Sequence, residues 1–95
     1  MEVLVEFELK VPEGTPETEV EERERAEAAA SAELARKGHL GRLWRQPVAP
    51  DERKALGLYR ADSEAQLDGL LDALPLSGWM RTTVMPLEPH PNDPV

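Results

Sequence analysis

Val3, Val5, Phe7, Leu9 and Val11 alternate with Glu2, Leu4, Glu6, Glu8 and Lys10, the period-two pattern of a strand with one face on a core. Pro12 to Pro16 breaks that pattern. Thr15 before Pro16 reads as an N-cap with proline at the first helical position, and Thr18 to Glu21 offers an alternative capping box. A helix is therefore predicted from Pro16 or Glu19 to Lys37, with Gly38 as its left-handed stop. At about 100° per residue, Val20, Arg23, Glu27, Ala30 and Leu34 fall within an arc of about 80°. An arginine and a glutamate thus share the stripe that Val20 and Leu34 mark as inward.

A second strand is predicted over His39 to Gln46, where Leu40, Leu43 and Trp44 are too apolar for a free loop. Arg42 and Arg45 have opposite parity, so one guanidinium points to each face of the sheet. The segment 47–53, with two prolines and three charges, reads as a hairpin connection. The third strand runs from Lys54 to Ala61, with Leu56 and Leu58 on one face and Ala55, Gly57 and Tyr59 on the other; Gly57 lets a ligand or a side chain approach the backbone. Ser63 to Gln66 is a capping box, and Leu67, Leu70, Leu71 and Leu74 give an amphipathic helix that Pro75 ends. A last strand is predicted over Trp79 to Leu87.

The order β-α-β-β-α-β defines an α+β, ferredoxin-like domain over 1–88, a four-stranded antiparallel sheet carrying two helices on one face. Residues 89–95 are expected to form an extended, proline-rich tail. The uncovered sheet face predicts burial against another copy of the chain, a dimeric α/β-barrel-type association as a homodimer or higher homo-oligomer.

Ninety-five residues suit one small core, and four aromatics make it mainly aliphatic. The net charge of −8, concentrated between Glu13 and Glu33, repels phosphate backbones and anionic lipid, which argues against nucleic-acid and membrane-surface roles. A small-molecule or protein partner is favoured. No stretch has the length of a membrane span, and the start Met1-Glu2-Val3-Leu4 does not read as a signal peptide, so a cytoplasmic location is expected. The absence of cysteine excludes disulfides and thiolate chemistry. His39 and His90 lack nearby acidic residues at ligand spacing, and no metal site is expected.

Glu27 is the candidate for proton chemistry. A carboxylate on an inward stripe must be paired, sit at a pocket mouth or have a raised pKa, and each condition suits a general base. The competing reading is an i,i+4 ion pair with Arg23. For Arg42, Arg45, Arg60 and Arg81, a clamp on a substrate carboxylate stands against ordinary pairing with the glutamates of the first strand.

Glu27 on the helix, Gly38, Leu43-Trp44-Arg45, Leu74-Pro75-Leu76, Trp79-Met80 and His90-Pro91 occur in an order and spacing that resemble the muconolactone isomerase family. The resemblance covers most of the chain. It implies a small ferredoxin-like subunit that associates through its sheets, and a cofactor-free isomerase of aromatic catabolism that converts muconolactone to the 3-oxoadipate enol-lactone. Glu27 is then the catalytic base, and Arg45, Arg42, Trp44, Tyr59 and Trp79 form the candidate substrate-binding set for a small lactone or aromatic-derived acid. Ala55-Leu56 and Ser77-Gly78-Trp79 depart from the family pattern. The alternative is a small-ligand-binding protein, non-catalytic or differently specialised, on the same dimeric fold.

Overall fold

The computed structural model describes residues 1–50 and 52–95. The alternating segment forms β1 (Glu2–Leu9), burying Val3, Val5 and Phe7 on one side. The long helix, α1 (Glu17–Arg36), is capped differently from expectation. Pro16 takes the N-cap position with no side-chain cap, while the Thr15 hydroxyl turns back to donate to the Pro12 carbonyl at 2.6 Å. Neither Thr15 nor the Thr18 box therefore closes the helix start. At the other end Gly38 adopts φ +83°. The His39 N–H then reaches the Leu34 carbonyl at 2.8 Å, the wrap that a left-handed residue permits.

Next come β2 (Leu40–Arg45), β3 (Arg53–Arg60), α2 (Glu64–Asp72) and β4 (Met80–Leu87). The Ser63 hydroxyl accepts from the Gln66 N–H at 3.1 Å, as the capping box requires. Trp79, expected to open the last strand, instead closes a 3-10 turn over Ser77–Trp79, held by its N–H on the Leu76 carbonyl at 2.9 Å. Within the predicted 47–53 connection, Asp51 lies outside the described residues. The tail is not fully extended, because the Asp93 N–H donates to the His90 carbonyl at 2.9 Å.

The sheet order is β2-β3-β1-β4 with every pair antiparallel, the ferredoxin-like arrangement. Leu34 of α1 and Leu67 and Leu71 of α2 join Val3, Val5, Phe7 and Tyr59 in a single core, so both helices cover the same face. The other face carries Leu4, Leu56, Leu58 and Trp44, with ion pairs Arg60–Glu2 at 3.4 Å and Arg81–Glu8 at 3.7 Å. Among the described residues, no helix is long and apolar enough to cross a membrane.

One irregularity sets the geometry of β2. The β2–β3 register shifts between Leu40 and Arg42, and this bulge at Gly41 puts Leu40, Leu43 and Arg45 opposite Tyr59, Gly57 and Ala55. Arg42 and Trp44 pair with Leu58 and Leu56 on the open face. The expected split of the two arginines is observed, with Arg45 on the helical side.

Candidate active site

The predicted inward stripe of α1 lies against the sheet. Val20, Arg23, Glu27 and Ala30 are partly buried and Leu34 is buried. Between α1, the helical face of the sheet and the β2–β3 connection lies a cavity of about 750 Å³. Phe7, Ala55 and Tyr59 form its floor, Glu24, Glu27 and Ser31 of α1 one wall, and Gln46–Pro50 another, with Leu76 and Met80 at the end. This is a small-molecule volume, mostly apolar with few polar groups, of the kind that orients a ligand by a handful of contacts.

Glu27 is the acidic group most changed by this enclosure. Loss of water around its carboxylate raises its pKa above the ordinary 4.5, and a hydrogen bond from the Leu76 N–H to Oε1, 3.0 Å long, opposes that rise. The anticipated local pair with Arg23 does not form. Arg23 turns to Glu19 at 3.5 Å, donates to the Pro75 carbonyl at 3.4 Å and stacks on Trp79 at 4.5 Å. Among the described residues Glu27 is left with a single neutral donor, and it lines the cavity.

Two cations of the helical face border the same space. Arg53 is engaged with Glu24 at 2.5 Å, whereas Arg45 has no acidic partner among the described residues. Tyr59 also lines the cavity, its phenol pKa pushed up to about 12 by burial and by the nearby charge of Glu27. Three of the six sequence-predicted site residues, Glu27, Arg45 and Tyr59, are thus brought together.

The other three are not. Strand alternation puts Arg42 and Trp44 on the open sheet face, where the guanidinium stacks on the indole at 5.1 Å. Trp79 sits in the 3-10 turn under Arg23, outside the cavity lining. Its contribution is to brace the turn that carries Leu76. Sequence reasoning missed Gln46, whose Oε1 is buried without a partner among the described residues, and the Leu76 N–H that holds Glu27. A backbone donor 49 positions away has no local signature. Among the described residues there is no cluster of three or more His, Cys, Asp or Glu placed to hold a metal ion.

A half-buried carboxylate and an arginine without an acidic partner among the described residues, in one mostly apolar cavity of a ferredoxin-like subunit, form an arrangement suited to proton transfer on a small anionic ligand. The family model for muconolactone delta-isomerase matches residues 1–93, and the chain belongs to that family of isomerases. Muconolactone Delta-isomerase 1 of Acinetobacter lwoffii is 30% identical over 88 residues, spanning 93% of this chain and 88% of that protein. A crystal structure of muconolactone isomerase superposes with TM-score 0.86 at 23% identity, covering 100% of this chain and 96% of that one. The fold is shared more distantly with 5-chloro-2-hydroxyhydroquinone dehydrochlorinase (TftG) of Burkholderia phenoliruptrix AC1100, solved with 2,5-dihydroxybenzoquinone. That match has TM-score 0.57 and 18% identity over 90% of this chain and 93% of that one.

Proposed function

We propose that this chain isomerises muconolactone to the 3-oxoadipate enol-lactone in aromatic catabolism, with Glu27 as the sole proton carrier and no cofactor. The observation that carries this reading is that Glu27 and Arg45 line one cavity. The substrate joins an acidic γ C–H, conjugated through a double bond to a lactone carbonyl, to a free carboxylate on a short arm. Glu27 takes the γ proton, the electron pair moves through the ring to the carbonyl oxygen as a dienolate, and the same carboxyl group returns the proton to the α carbon. The double bond has then moved from α,β to β,γ, and no atom is gained or lost.

A desolvated carboxylate suits both halves. Raising its pKa makes Glu27 a stronger base for the first transfer, and the carboxyl it becomes is still acid enough for the second. Arg45 holds the side-arm carboxylate, which fixes the ring so that α and γ carbons present to one oxygen. The test is a steady-state assay of the purified protein with muconolactone, following enol-lactone formation. Turnover without added cofactor is expected. Tight binding of the lactone with no conversion would move the protein to the ligand-binding alternative.

A further inference from the structure

The dienolate puts a full negative charge on the lactone carbonyl oxygen, and a water-poor cavity stabilises it only if a donor is already aimed there. Arg45 is committed to the side-arm carboxylate and the Leu76 N–H to Glu27. Tyr59 remains, and it is held unusually firmly for a group with a free hydroxyl. The residue is 2% exposed, and its ring stands edge-on to Phe7 with centroids 6.0 Å apart.

The ring also lies directly over Gly57. A Cβ at that position would stand 2.5 Å from Cε1 and 3.1 Å from Cδ1 of Tyr59. Glycine in a strand interior weakens the strand, and the φ of Gly57 is not positive, so its backbone gives no reason for it. The ring gives one, since only glycine leaves room for it.

A buried phenol normally finds an acceptor. The Tyr59 hydroxyl has none among the described residues, and burial and the Glu27 charge alone perturb it. Yet Gln46 Oε1 is the one unpartnered polar side-chain atom sealed from solvent among them. The Tyr59 oxygen is therefore not sealed from solvent, and Tyr59 lines the cavity that holds Glu27. Glu27 and Tyr59 line the same cavity and are near enough for the charge of one to act on the other, but they are not hydrogen-bonded to each other.

We propose, on the isomerase reading above, that the Tyr59 hydroxyl donates the hydrogen bond that stabilises the dienolate oxygen, and that Gly57 is the residue that lets the ring take this position. The phenol stays protonated throughout the working pH range, so it acts as a donor and the proton count of the reaction is unchanged. The substrate lies with one edge on Glu27 and its carbonyl on Tyr59. Arg53 and Lys54 also line the cavity but are paired with Glu24 and Glu8, so Ser31 and Gln46, which line it too, are the rival donors.

Tyr59→Phe keeps the ring, its contact with Phe7 and its fit over Gly57, and removes only the donor. Its kcat on muconolactone is expected to fall by about 10²-fold to 10³-fold with KM little changed, the signature of a bond made mainly in the transition state. Tyr59 is the only tyrosine in the chain, so growth on fluorotyrosine places a more acidic phenol at this one site. That protein should turn over about two-fold to three-fold faster, a response that packing alone does not produce. Wild-type turnover with an unchanged kcat in both variants, or loss of kcat in Ser31→Ala or Gln46→Leu instead, overturns the assignment and leaves the isomerase standing. A wild type that does not convert muconolactone overturns both.

Discussion

Among the glutamates of α1, Glu27 is set apart by being half out of water and held by one backbone N–H from the far end of the chain. Because its folded pKa lies above the ordinary 4.5, the fold prefers its protonated form. Its contribution to stability is therefore present below that ordinary value and is lost as pH rises through the folded pKa. Glu27→Gln, which still offers Leu76 an acceptor, should melt above wild type at neutral pH. The gap should close on acidification below pH 4.5, as followed by circular dichroism. For turnover the sign is the opposite, since the base must be ionised. The acid limb of the pH profile of kcat/KM should sit above the usual carboxylate range, and an acid limb at or below pH 4.5 would contradict the enclosure of Glu27. Position 27 was legible from helical periodicity alone. Its partner was not: the sequence offers Arg23 one turn away, and only the tertiary fold turns that arginine toward Pro75 and Trp79.

At the scale of elements, two devices place the site. Arg23 ties α1 to the turn after α2 through the Pro75 carbonyl and the Trp79 ring, and that turn carries the N–H that orients Glu27. Its side chain is 41% exposed, so solvent weakens the tie, and Arg23→Ala should destabilise the fold by only about 1 kcal/mol. A lower kcat should accompany it, because the carboxylate loses its fixed direction; thermal melts and steady-state rates on one preparation check both. The second device is the bulge at Gly41, which sends Arg45 to the cavity and Arg42 to the open face. Alternation revealed that the two arginines part company, but a bulge inverts parity, so the assignment of faces needed the backbone. Arg45→Ala should raise KM for muconolactone by about 10-fold to 100-fold with a smaller change in kcat, as expected for a charged hydrogen bond present before and during reaction. Arg42→Ala should leave KM within about two-fold if the monomer cavity is the whole anion site.

The whole molecule is a sheet clothed on one side. Strand and helix order, helix-ending glycine and the Ser63 cap were all readable because each rests on local periodicity and capping chemistry. The 3-10 turn at Ser77–Trp79 was not, since Trp79 continues the apolar alternation of β4 and only the Leu76 carbonyl pulls it out of line. On the open face Trp44, Met85 and Leu87 remain exposed beside partly buried Leu4, Leu56 and Leu58. We propose that a second copy covers this surface. Light scattering should give at least a dimer at micromolar concentration, and Trp44→Glu should dissociate it while the subunit keeps its circular dichroism spectrum. A monomeric wild type would remove the assembly from the account.

The central claim is that one carboxylate carries the proton across the lactone, and the kinetics of Glu27→Gln with muconolactone test it most directly. The amide keeps the size of the side chain and its bond from Leu76 but cannot accept the γ proton. Lactone binding, measured by calorimetry, should persist while kcat falls by about 10²-fold or more. Turnover by Glu27→Gln within a few-fold of wild type would contradict it.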